Sequence, residues 1–106
     1  TICAPYLEDI KNHIQKNTRM VIMTHSSNVT GEIFDVDLIG QYCKECGVLF
    51  MVDVAQSAGH IPVSMENIDV LCFSGHKGLL GIGGIGGFCV KDIEVKPLIS
   101  GGTGIA

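Results

Sequence analysis

Val48-Leu49-Phe50-Met51-Val52-Asp53-Val54-Ala55-Gln56 is the stretch on which the reading of this chain turns. Five apolar residues in a row, without a polar alternate, predict a strand covered on both faces, as in a parallel sheet between helices. The run stops at Asp53, a carboxylate that is costly in such surroundings unless it is paired or hydrogen-bonded. Small and polar residues follow at once. Parallel α/β sheets bind ligands beyond the carboxyl ends of their strands, so this strand end is a candidate site.

The flanking sequence repeats the pattern. Residues 5–16 predict a helix, with Pro5 in its first turn and Leu7, Ile10 and Ile14 as an apolar stripe. Met20 to Thr24 is a second apolar run ending in Thr24-His25-Ser26, and 26–31 is a polar turn. Residues 35–46 predict a second helix, acidic at its start, with Lys44 near its end and Gly47 as the stop. Strands are expected at 48–53, 69–73 and 86–91. Only about nine residues, 78 to 86, separate the last two, too few for a helical crossover, so the last strand is expected to run antiparallel. The fold class is therefore α/β, a mostly parallel sheet flanked by helices with a final antiparallel strand.

Composition narrows the function classes. The chain has 106 residues, enough for one domain, and 46% of them are hydrophobic, which argues against disorder. A net charge of −4 leaves no basic footprint for nucleic acid and no Lys/Arg cluster for an anionic membrane. No apolar stretch reaches the roughly 18 residues of a membrane span. The opening Thr1-Ile2-Cys3-Ala4-Pro5 has neither an initiator Met nor a signal-peptide pattern, and reads like the interior of a longer sequence. Five cysteines are an odd count, and Cys72 and Cys89 sit in strand-like runs as small hydrophobes. Cys43 and Cys46 form C-x-x-C near a helix C-terminus, without a second pair or suitably spaced histidines, so neither zinc nor a thioredoxin-like motif is expected. Reduced thiols and a cytoplasmic location fit better.

The chemistry-bearing residues lie at strand ends. An ionised Asp53 suits a cationic ring nitrogen, which an electron-sink pyridine cofactor requires. Ala55, two residues on, is expected on the same side of the strand, small enough for a flat ring to approach. Gln56 can donate an amide N–H to a phenolate oxygen. Lys77 lies 24 positions beyond Asp53, in Phe73-Ser74-Gly75-His76-Lys77-Gly78. A lysine amine forms imines when neutral, a state that desolvation or neighbouring cations favour. Ser74 and His76 are donors suited to a phosphate, and Gly75 and Gly78 permit a tight backbone. The run Gly81-Ile82-Gly83-Gly84-Ile85-Gly86 satisfies G-x-G-x-x-G, but a strand pattern follows instead of a helix, so nucleotide binding is rejected.

Asp53-Val54-Ala55-Gln56-Ser57-Ala58-Gly59 followed by Ser74-Gly75-His76-Lys77-Gly78 resembles the paired signature of the class V aminotransferase family, and within it the cysteine desulfurases and selenocysteine lyases. Thr24-His25-Ser26-Ser27-Asn28-Val29-Thr30-Gly31 resembles that group's upstream turn, and Leu98-Ile99-Ser100-Gly101-Gly102-Thr103-Gly104 its glycine-rich segment. The resemblance covers essentially the whole chain in the right order. It implies residues 1–106 as a fragment of the large domain of the pyridoxal 5'-phosphate (PLP) fold type I, homodimeric in the parent enzyme, acting on an amino acid, cysteine first, with a sulfur-acceptor protein as a further partner.

Carried over position by position, the resemblance implies Lys77 as the imine-forming lysine and base, Asp53 on the ring nitrogen, and Gln56 on the ring hydroxyl oxygen. Ala55 would pack on a ring face, Ser74 and His76 would bind the phosphate, and Asn28 would approach the ring oxygen and substrate carboxylate. Thr103 would reach the partner subunit's phosphate. His25 is a common member of its turn, with no cofactor contact assigned. The family's upstream phosphate loop, ring-stacking residue, carboxylate-binding arginine and mobile catalytic cysteine have no counterpart here, so the fragment is expected to be inactive alone. The sister readings are an aminotransferase or selenocysteine lyase. A reading of another class is a non-catalytic α/β module that binds a partner through exposed edges.

Overall fold

A computed structural model describes residues 6–102. Six elements follow one another: α1 (Leu7–His13), β1 (Met20–Thr24), α2 (Val36–Glu45), β2 (Leu49–Asp53), β3 (Val70–Ser74) and β4 (Gly86–Val90). The strands form one sheet in the order β1-β2-β3-β4. β1 with β2 and β2 with β3 are parallel, whereas β3 with β4 is antiparallel, as the short connection required. The first helix is shorter than its apolar stripe suggested, and Pro5 lies outside the described residues.

Helix α2 owes its start to Asp35, whose Oδ1 accepts the Leu38 N–H at 2.9 Å. It ends at Gly47, whose φ of 68° is open to glycine without strain and lets the chain turn directly into β2. Between these ends Val36, Ile39, Gly40 and Cys43 form the buried face, at helical spacing. They pack on Phe50 and Val52 of β2, both fully buried, and on Met23, Leu71, Ile68 and Ile10. Gly40 is required by contact: a Cβ there would lie well inside van der Waals distance of the Asn67 carbonyl oxygen.

Both helices contribute to this one core, on one face of the sheet. The opposite face carries Met20 and Ile22 of β1, Leu49 and Met51 of β2, and Phe88 of β4, brought side by side by the strand registers. Ile22 is 66% exposed and Phe88 57%. This corrects the expectation of strands covered on both faces. An unbroken apolar run shows that each face tolerates burial, and within the described residues only one face has helices against it.

The C-x-x-C pair sits at the end of α2, with Cys43 fully buried and Cys46 exposed. Burial, helped by the neighbouring Cys46 and Asp69 charges, pushes the Cys43 thiol up to about 11. Among the described residues no group of three or more His, Cys, Asp or Glu could hold a metal ion, and no helix is long and apolar enough to cross a membrane.

Two outcomes follow from this packing. Gly40→Ala would gain about 1 kcal/mol in helix propensity at an exposed site. Here the collision with Asn67 outweighs that gain, so urea denaturation should show a net loss of about 1–3 kcal/mol. A thiol reagent at pH 8 should modify Cys46 and Cys89 rapidly in the native chain, and Cys43 only after denaturant is added, as read by mass spectrometry of the labelled peptides.

Candidate functional site

Three strand ends converge at the carboxyl edge of the sheet. In register, Thr24 at the end of β1 lies opposite Asp53 at the end of β2, and Asp53 lies opposite Cys72 of β3. These residues belong to the uncovered face, which explains why Asp53 is exposed and not enclosed as the apolar run before it suggested. Burial, then the Asp53 carboxylate beside it, pushes the Cys72 thiol above its ordinary range.

Beyond Thr24 the chain makes a compact loop. The Thr24 hydroxyl donates to the Ser26 carbonyl at 2.9 Å. Ser27 Oγ accepts the Val29 and Thr30 N–H groups, each at 3.2 Å, and the Ser27 N–H returns to the Glu32 carbonyl at 2.9 Å. Asn28 is presented, exposed, at the start of this turn.

Beyond Asp53 the strand ends and a helical turn begins. Asp53 Oδ1 accepts the Ala55 N–H at 2.8 Å, the capping contact that starts it. The Ser57 and Ala58 N–H groups both return to the Val54 carbonyl, at 3.0 and 2.8 Å. Ala55 and Gln56 therefore reach the site from a turn, and strand alternation, the basis for expecting Ala55 beside Asp53, plays no part.

Beyond Ser74 the segment 75–81 closes on itself. The Gly81 N–H donates to the Gly75 carbonyl and the Gly75 N–H to the Ile85 carbonyl, both at 2.7 Å. Leu80, 90% exposed, holds a φ of 58°, and its N–H bonds back to the Lys77 carbonyl at 2.9 Å. The glycine run 81–86 then enters β4, so it meets no helix N-terminus. Gly78 lies flush against the turn after β2. A Cβ on Gly78 would collide with the Ala58 carbonyl oxygen and the His60 ring, and one on Gly59 with the Gly78 carbonyl.

The result is a cavity of about 320 Å³ lined by Thr24, Ser26, Ser27, Asn28, Asp53, Ala55, Gln56 and Lys77. Five residues singled out from the sequence (Asn28, Asp53, Ala55, Gln56 and Lys77) thus share one wall-to-wall space. Asp53 and Lys77 do not pair across it: the one ion pair among the described residues is Glu8–Lys11, at 3.0 Å. Ser74 and His76 do not line it. They face each other beside it, with Ser74 Oγ 3.3 Å from His76 Nδ1, and His76 is exposed. Thr103 lies outside the described residues. The hydroxyls of Thr24, Ser26 and Ser27 were not singled out, although their position at a strand end was the available signal.

The donor set fits PLP. A carboxylate, an amine, two amides and a small methyl side chain around one opening match a flat ring with a basic nitrogen, a hydroxyl and an aldehyde. A second cavity, about 380 Å³, lies at the other end of the strands, where Lys91 and Asp69 of its lining are engaged with backbone groups. Lys91 Nζ donates to the Met65 and Glu66 carbonyls, at 3.1 and 2.8 Å, and Asp69 Oδ2 accepts the Phe50 N–H at 2.8 Å.

Comparison with known proteins agrees with this geometry. The family model described as aminotransferase class-V matches residues 4–106. Cysteine desulfurase IscS of Plasmodium falciparum is 42% identical over 102 residues, covering 91% of this chain and 18% of that protein. A probable cysteine desulfurase of Pyrococcus abyssi is 43% identical over 94 residues, covering 83% of this chain and 23% of the relative. Among solved structures, apo cysteine desulfurase from Thermococcus onnurineus NA1 superposes with a TM-score of 0.75 at 41% identity, covering 81% of this chain and 22% of that one. SspA in complex with cysteine gives 0.84 at 31% identity, covering 92% and 29%. The chain spans about a fifth to a quarter of the length of the curated relatives it matches. Its sheet order, its strand-end cavity and a family match running from residue 4 to residue 106 lead to one assignment: this chain belongs to the class V aminotransferase family.

Proposed function

We propose that this chain forms the cofactor-holding part of the large domain of a PLP-dependent cysteine desulfurase, which converts L-cysteine to L-alanine and transfers the sulfur to an enzyme thiol as a persulfide. The observation that carries the reading is the single cavity shared by Asp53, Gln56, Asn28 and Lys77. The relatives named cysteine desulfurase support the choice of reaction.

When bound, PLP supplies an aldehyde that amines can attack and a ring that accepts electrons from the substrate α-carbon. This chain's residues do the holding and the proton work. The Asp53 carboxylate keeps the ring nitrogen protonated through its charge. The Gln56 amide donates to the ring hydroxyl oxygen, Ala55 leaves room for the ring, and Asn28 orients ring and substrate. Lys77 Nζ is the amine that would hold the cofactor at its aldehyde and, when free of it, the base that would take the substrate α-proton. Ser74 and His76, beside the cavity, bind the phosphate, and Thr103 serves the phosphate of the partner subunit in a homodimer.

The sulfur-accepting thiol comes from outside this segment. None of the cysteines among the described residues lines the cavity, and Cys72, the one next to Asp53, is made harder to ionise by burial and by that carboxylate. The enzyme works in the cytoplasm and passes its sulfur to an acceptor protein.

Full-length protein mixed with PLP should gain a visible absorbance band that borohydride fixes onto Lys77, as found by peptide mapping. Lys77→Ala should lack the band and lose alanine production by at least about 10²–10⁴-fold. An unchanged band in that variant, or label on another lysine, would exclude the assignment. Asp53→Asn keeps the shape but not the charge, and should weaken cofactor retention about ten- to a hundredfold. Cysteine, selenocysteine and alanine offered in turn should yield turnover with cysteine above the others, and the isolated segment should yield none.

A further inference from the structure

We propose that the buried His25–Ser57 hydrogen bond is a positioning clamp that sets the spacing of the two loops forming the cavity walls; this rests on the reading of that cavity as the cofactor site. His25 Nδ1 lies 2.8 Å from Ser57 Oγ, across 32 positions of sequence. His25 is 6% exposed and Ser57 2%, and these are the two buried polar side chains of the described residues. Neither lines the cavity.

Their neighbours do. His25 immediately precedes Ser26, Ser27 and Asn28 on one wall, and Ser57 immediately follows Ala55 and Gln56 on the other. The sheet holds these segments together only as far as Asp53, where the His25 N–H reaches the Asp53 carbonyl at 2.9 Å. Past that point β2 leaves the sheet for its turn. Among the described residues, His25–Ser57 is then the one hydrogen bond that joins loop 25–34 to turn 54–60.

The chemistry suits a permanent link. Burial lowers the basicity of His25, against a weaker opposite pull from the Asp37 carboxylate, so the imidazole is neutral at neutral pH. Ser57 Oγ also lies 3.5 Å from the Val54 carbonyl. The hydroxyl can donate there while accepting from Nδ1–H, or donate to a bare Nδ1, so either neutral tautomer keeps the bond. Removing Ser57 takes the partner from buried His25 Nδ1, removing His25 leaves Ser57 Oγ only the longer contact to the Val54 carbonyl, and either change slackens the walls relative to each other.

The test uses the full-length protein and two readouts, one of them independent of the cofactor. Without PLP, Ser57→Ala and His25→Leu should each speed amide exchange about tenfold in 26–28 and 55–57, leaving α2 and the centre of β2 protected. With PLP, each should weaken affinity about tenfold, the double variant no more than the worse single. His25→Asn, whose amide reaches the Nδ1 position, should recover most of the loss. Unchanged exchange in both loops, additive losses, or exchange rising equally throughout α2 would overturn the clamp. Failure of the wild-type protein to bind PLP at all would instead overturn the cofactor reading, while the exchange data would still decide the clamp.

Discussion

Where the turn after β2 meets the loop after β3, neither backbone has space for a side chain on its neighbour's side. Gly59 and Gly78 touch through their main chains, and a Cβ on either would overlap a carbonyl oxygen of the other segment. Gly59 also holds a φ of 85°, a conformation other residues adopt only under strain. This contact holds the loop that carries Lys77 against the turn that follows Asp53. The two residues come from different strands and do not bond to each other, so the separation that leaves a cavity between them is set by the backbones behind them.

The same logic explains why the site sits where it does. Parallel strands bring Thr24 and Asp53 level by register alone, and the antiparallel return of β4 closes the loop that carries Lys77. Each functional side chain is the last residue of a strand or lies within four residues beyond it. The rigid part of the fold therefore positions the chemistry at and just beyond the strand ends, with no functional group in the middle of the sheet.

Much of this was legible in the sequence because it depends on local pattern. Apolar runs marked the strands, Asp35 and Gly47 bracketed α2, and the short spacing before β4 decided its direction. The grouping of Asp53, Gln56 and Lys77 followed from their position at strand ends, and Asn28 joined them through the family resemblance. What was not legible depends on tertiary context. Residues 48–53 could not reveal that one face of the sheet has no helix against it, because an apolar side chain reads the same whether covered or open. Ala55 was expected on the strand, but the Asp53 carboxylate caps its N–H and starts a turn there, a competition between side chain and ladder that alternation ignores. The His25–Ser57 pair spans 32 positions, and nothing local marks either residue as the other's partner.

Burial acts in opposite ways on the carboxylate of the uncovered face and on the thiols. Ile22, Met51 and Phe88 lie on the same face as Asp53, so whatever covers that face also bounds the space above the carboxylate. Covering it would desolvate Asp53 and strengthen its pull on a cationic ring nitrogen, because charge attraction grows as water is excluded. The described thiols follow the opposite trend: burial makes Cys43 and Cys72 harder to ionise and so poorer nucleophiles. Covering that face would thus improve the grip on a cofactor while making Cys72 still harder to ionise.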